Sequence, residues 1–148
     1  MISDYLDSRL IAFLKVKDRD AAIQALIDRL DRIGKIPDRE AFRKAIFERE
    51  QVVSTGIGMG VALPHAKFKG FPDFFIAIGI LADGVDWNAI DKALVQLIFL
   101  IGGPDDKQAQ YLQILSQLTS TIRDQSFRRK LIQAQTIEEV LGLFQNSL

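Results

Sequence analysis

Two continuous apolar runs, Phe74–Leu81 and Leu94–Ile101, constrain this chain more than any other feature. Both are rich in branched and aromatic residues, and both are far too short for a membrane span of ~20 residues. Leu94–Ile101 in particular lacks the alternation of a strand with one wet face. The runs read as central strands, so the rest of the chain must supply covering layers. Helical periodicity is available on either side of them. Upstream, Asp18 reads as the N-cap of a helix whose Ile23, Leu26, Ile27, Leu30 and Ile33 share one face and which Gly34 ends. Pro37, Asp38 and Glu40 suit the first turn of a second helix with Phe42, Ala45 and Ile46 inward. Downstream, Tyr111, Leu112, Leu115, Leu118 and Ile122 mark a long helix from Asp106 to about Asp124. Phe127–Ala134 is a shorter one, and Thr136 with Glu139 makes a capping box for the last. Leu10–Val16 reads as a further strand, and Gly102-Gly103-Pro104 as the stop of the second central run. The expected fold class is α/β, a sandwich of helices and sheet, in one domain spanning residues 1–148.

Composition narrows the function classes. The chain of 148 residues has no cysteine, which excludes disulfides, a thiolate nucleophile and Cys-based metal sites. Nineteen basic and 19 acidic residues cancel, so the bulk attraction expected of a nucleic-acid binder is missing. The opening MISDYLDSRL lacks the basic and apolar regions of a secretion signal. A cytoplasmic protein without membrane insertion is the expectation.

One histidine is present, His65, placed after Ser54-Thr55-Gly56-Ile57-Gly58-Met59-Gly60, the short run Val61-Ala62-Leu63, and Pro64. Arg49 and Lys67 are cations suited to phosphate oxygens, and Ser54, Thr55 and the loop amides add neutral donors. Gly56, Gly58 and Gly60 have two readings: a backbone that turns its amides toward an anion, or a tight loop. The spacing is neither the dinucleotide fingerprint nor the P-loop, no G-x-S-x-G elbow marks Ser54, and no H-E-x-x-H spacing supplies metal ligands. Neither a cofactor nor a metal is expected. Asp73, Asp83, Asp86 and Asp91 read as turn and cap residues.

The string from Arg49-Glu50-Gln51 through Ser54-Thr55-Gly56-Ile57-Gly58-Met59-Gly60 to Leu63-Pro64-His65 resembles the active-site signature of type-2 enzyme IIA domains of the phosphoenolpyruvate-dependent sugar phosphotransferase system, the mannitol/fructose/nitrogen-regulatory group. The resemblance continues through Asp86-Trp87, Asp91 and the C-terminal helices. It implies a mixed β-sheet sandwiched between helices, the phosphotransferase/anion-transport-like IIA fold. It also implies that His65 is the phosphoacceptor and Arg49 a phosphate ligand or charge stabiliser, with Ser54, Thr55, Gly56, Gly58 and Lys67 as further binding residues. The implied donor is a histidine-containing phosphocarrier protein and the implied acceptor an enzyme IIB component or a regulatory target. Met59, Phe68, Phe71 and Phe74 are candidates for apolar docking contacts, or for ordinary packing. Two departures stand out: Tyr111 occupies the place where many members carry a second histidine, and Met59 stands where an acidic or amide residue is common. Tyr111 can donate a hydrogen bond but carries no positive charge near neutral pH. No IIB or IIC region accompanies the signature, and Ser54–Gly58 looks more like the nitrogen-regulatory branch than the mannitol one. A regulatory output is therefore the leading expectation. The alternatives are delivery of phosphate to a sugar-specific IIB component and binding that does not depend on phosphorylation. The sequence does not name a sugar.

Overall fold

The computed structural model describes residues 1–145. Two 3-10 turns, at Ile2–Tyr5 and Ser8–Leu10, lead into β1 (Ile11–Phe13), followed by α1 (Arg19–Arg32) and α2 (Arg39–Val52). Three short strands come next, β2 (Gly56–Gly58), β3 (Val61–Ala62) and β4 (His65–Phe68), and then the long strands β5 (Phe75–Val85) and β6 (Val95–Pro104). Helices α3 (Gln108–Ile122), α4 (Gln125–Gln133) and α5 (Ile137–Gln145) complete the described chain.

The sheet runs β1-β5-β6-β3-β2, and β4 joins the same side of β6 beyond β3. It is mixed: β1 is parallel to β5, β5 antiparallel to β6, β3 and β4 parallel to β6, and β2 antiparallel to β3. Over Phe75–Leu81 and Leu97–Pro104 the two long strands are buried on both faces, as their largely apolar composition there requires. Ile76, Ile78 and Ile80 of β5 and Leu97, Phe99 and Ile101 of β6 pack with Tyr111, Ile114, Leu118, Leu131 and Val140 of α3–α5. The opposite side chains, Phe75, Ala77, Ile98 and Leu100, pack with Ile23, Leu26, Leu30, Phe42 and Ile46 of α1 and α2. The expected α/β sandwich is thus observed.

Helix ends follow local chemistry. Asp18 accepts from the Ala21 amide at 2.8 Å and caps α1. Gly34, at φ 77°, ends α1: its amide bonds Asp31 O at 3.1 Å and Lys35 N bonds Leu30 O at 2.9 Å, a Schellman pair. In α2 the cap is Asp38, which accepts from Ala41 N at 3.0 Å, so Pro37 lies ahead of the helix rather than in its first turn. Thr136 caps α5 through Glu139 N at 3.1 Å.

Three expectations are corrected. The first strand is confined to Ile11–Phe13. Part of the glycine segment is itself a strand, β2, which folds back on β3 through Met59 and Gly60 at φ 61° and 75°. Gly102-Gly103-Pro104 continues β6 instead of stopping it, because β4 pairs there: Ala66 with Gly102, Lys67 with Gly103 and Phe68 with Pro104. The two glycines admit aromatic rings against the strand. A Cβ on Gly102 would overlap the Phe75 ring, and one on Gly103 would overlap the Phe74 ring.

Candidate functional site

His65 opens β4, where the chain steps from one pairing segment on β6 to the next. Pro64 has no N–H for the ladder, but its carbonyl accepts from Ile101 N at 3.0 Å and fixes the register that sets His65 opposite Ile101. His65 Nδ1 lies 3.1 Å from Leu63 O. A carbonyl only accepts, so Nδ1 carries the proton and donates, and Nε2 is left with the lone pair in the neutral ring.

The alternation of β4 places Lys67 on the same face as His65, toward α3. There the Tyr111 ring, from the first turn of α3, stands 5.9 Å from the imidazole centroid at 46°, with its other neighbour Phe74 at 6.0 Å. Lys67 Nζ lies 4.2 Å from the Tyr111 centroid and donates to Gln108 Oε1 at 2.6 Å. Arg49 approaches from the last turn of α2, where it donates to Val53 O at 2.8 Å.

Burial holds the His65 imidazole below its ordinary pKa; the Leu63 hydrogen bond opposes this, the Arg49 and Lys67 charges add to it, and Glu50 opposes them. The shift therefore favours the neutral ring at pH 7. Burial raises the Tyr111 phenol, and Arg49 pulls it back. A neutral nucleophile flanked by two fixed cations suits acceptance of an anionic group.

The remaining sequence candidates are placed differently. Ser54 Oγ donates to Trp87 O at 2.7 Å and accepts from Gly56 N at 3.1 Å. Thr55 donates its amide to Glu50 Oε1 at 2.8 Å and its hydroxyl to Glu50 Oε2, while accepting from Trp87 Nε1 at 3.0 Å. The donor protons of Ser54, Thr55 and Gly56 are thus engaged inside the loop. The glycines shape the hairpin and its packing: a Cβ on Gly56 would meet Ala89 Cβ at 2.8 Å, and Gly58 adopts φ 95°. Asp91 accepts from Met59 N and Ala93 N, each at 3.0 Å, which holds its carboxyl below the usual range and ties the hairpin tip to the loop after β5. Phe74 is core, and Phe68 and Phe71 cluster with Phe42, whereas Met59 is 44% exposed.

Sequence reasoning did not single out Glu50 as a site residue. It is the one fully buried charged side chain among the described residues, 3% exposed. Its signal was the four-residue spacing Phe42, Ile46, Glu50, which puts the carboxylate on the buried stripe of α2.

The family described as "Phosphoenolpyruvate-dependent sugar phosphotransferase system, EIIA 2" matches residues 4–147. The chain belongs to this enzyme IIA family. It is 35% identical over 127 residues to the fructose-specific EIIA component of Haloferax volcanii, covering 84% of this chain and 82% of that one. It is 32% identical over 130 residues to the fructose-specific EIIABC component of Bacillus subtilis; this covers 88% of the chain but only 20% of that longer protein. Among solved structures, the nitrogen regulatory protein IIA-Ntr of Neisseria meningitidis superposes with a TM-score of 0.88 at 26% identity, covering 96% and 97% of the two chains. The enzyme IIA fold expected from the sequence is therefore the one observed. Among the described residues, no helix is long and apolar enough to cross a membrane.

Proposed function

We propose that this enzyme IIA chain is a cytoplasmic phosphocarrier that accepts a phosphoryl group on Nε2 of His65. The observation that carries the reading is the His65 Nδ1–Leu63 O bond, which assigns the proton to Nδ1 and leaves Nε2 as nucleophile. The donor is a histidine-containing phosphocarrier protein. The Nε2 lone pair attacks phosphorus and the P–N bond to the donor imidazole breaks. The donor ring, protonated on its other nitrogen, leaves as neutral imidazole with the electron pair, while His65 keeps its Nδ1 proton, so none is gained or lost overall. Arg49 and Lys67 offset the charge on the phosphoryl oxygens, and the Tyr111 hydroxyl donates to one of them. Ser54, Thr55, Gly56 and Gly58 serve indirectly, by holding the hairpin that carries the chain into His65.

The output we propose is regulatory: phosphorylation of His65 controls contacts with a target protein. The likeness to the nitrogen regulatory protein of N. meningitidis supports this. The identity with the H. volcanii fructose component favours a second reading, in which an enzyme IIB component takes the phosphoryl group. The test is incubation with phosphoenolpyruvate, enzyme I and the phosphocarrier protein, followed by intact mass and site mapping. An acid-labile, base-stable adduct that is lost in His65→Ala is expected. An unmodified wild type beside a modified control IIA would overturn the carrier reading in favour of binding without phosphorylation.

A further inference from the structure

A buried carboxylate with no ion-pair partner among the described residues is costly, and here it is satisfied only by hydrogen bonds from a single residue. Glu50 takes both the amide and the hydroxyl of Thr55, so its two oxygens fix the backbone and the χ1 of that residue together. Trp87, itself 1% exposed, donates Nε1 into the same hydroxyl and leaves its proton only Glu50 as acceptor. The Thr55 carbonyl accepts from Leu63 N at 3.0 Å, and the Leu63 carbonyl accepts from His65 Nδ1 at 3.1 Å. An unbroken series of hydrogen bonds therefore runs from α2, through the first and last residues of the β2–β3 hairpin region, to the imidazole.

We infer that Glu50 is a positioning residue for His65: through Thr55 and Leu63 it sets the carbonyl that takes the Nδ1 proton, and so decides which ring nitrogen faces an incoming phosphoryl group. The inference rests on the proposal that His65 is the phosphoacceptor. Helix α2 then serves the site twice with adjacent residues. Arg49, on the outer side of its last turn, supplies charge, and Glu50, on the inner side, supplies orientation. A glutamine at position 50 would keep the volume but offer one acceptor oxygen where the Thr55 amide and hydroxyl need two. The hydroxyl would turn away, and the Thr55 carbonyl would lose its fixed direction toward Leu63.

His65 is the sole histidine of the chain, so its ring nitrogens give one set of 15N–1H correlations and the tautomer is read directly. The experiment records these spectra on unphosphorylated wild type, Glu50→Gln, Thr55→Val and Thr55→Ser, together with single-turnover phosphoryl acceptance. Wild type and Thr55→Ser are expected to hold the Nδ1–H tautomer and to accept at equal rates. Glu50→Gln and Thr55→Val are expected to gain the Nε2–H tautomer that a free imidazole favours, with acceptance slowed ~10- to 100-fold. Thr55→Val keeps the side-chain shape and the amide bond to Glu50, so it carries the test should Glu50→Gln not fold. Wild-type spectra and rates in the folded variants, or an Nε2–H tautomer in the wild type, would overturn the inference. A wild type that accepts no phosphate would instead overturn the functional proposal, while the tautomer comparison still decides the role of Glu50.

Discussion

Lys67 Nζ stands 4.2 Å from the centroid of the Tyr111 ring and donates to Gln108 Oε1 from the same ammonium. The ring face attracts the cation and the amide holds it, so a fixed positive charge lies beside a residue that has none of its own. On the proposed reading, with a phosphoryl group on His65, this charge would stand in for a second histidine at position 111. Lys67→Met is expected to slow phosphoryl acceptance by roughly 5- to 30-fold, the equivalent of ~1–2 kcal/mol of lost charge stabilisation. Lys67→Arg is expected to retain most of the rate. Single-turnover acceptance from the phosphorylated donor measures both.

Arg49, from the last turn of α2, acts electrostatically on both His65 and Tyr111. Its guanidinium also closes the end of α2 through Val53 O, but at a half-exposed position that bond contributes little to stability. Arg49→Gln should therefore separate chemistry from folding. The expected loss is ~100-fold in acceptance, the scale of removing one preorganised transition-state charge, with an unfolding midpoint close to wild type. A large fall in stability with an unchanged rate would contradict it.

The pH dependence follows from the direction of the His65 shift. Burial and the two cations hold the folded imidazole below its ordinary 6.5. Acceptance should fall on acidification through a midpoint below 6.5, where the nucleophile protonates. Stability follows with a definite sign. Between the unfolded value of about 6.5 and the lower folded value, the unfolded chain binds more protons, so this contribution is complete above pH 6.5 and is lost as pH falls. Urea unfolding of wild type and His65→Gln across pH 5–8 checks it: the wild type should lose more stability on acidification than the variant.

Much of this architecture was legible, and the exceptions share a cause. The covering helices were readable because capping and periodicity are local: Asp18, Gly34 and the Ile23–Leu30 stripe need no partner to announce themselves. The site strand β4 was not, because a four-residue segment carrying His65 and Lys67 has no strand pattern of its own and exists by pairing with β6. The glycines at 102 and 103 misled for the same reason, since their meaning lies in Phe74 and Phe75, residues remote in sequence. At the site, His65, Arg49 and Lys67 could be proposed from residue type alone, and in the structure both cations act on the imidazole. Ser54 and Thr55 looked like ligand donors because their acceptors, Trp87 O and Glu50, come from other elements.

Gly103 offers a test of how the core supports the site. The missing Cβ leaves room for the Phe74 ring, which stacks at 6.0 Å on Tyr111, itself 5.9 Å from the His65 imidazole. Gly102, one residue earlier, points to the other face of the sheet and makes room for Phe75, which packs with Phe42 and Phe71, away from the imidazole. Neither glycine has a positive φ, so alanine at either position is opposed by overlap rather than by backbone strain. Both Gly102→Ala and Gly103→Ala should lose stability by about 1–3 kcal/mol, the range for overpacking a filled core. Only Gly103→Ala should also displace Tyr111 and slow phosphoryl acceptance by several-fold. Urea unfolding and single-turnover acceptance on the pair make the comparison. If the two variants slow acceptance equally, the rate follows global stability, and the Phe74–Tyr111 stack has no part in holding the site.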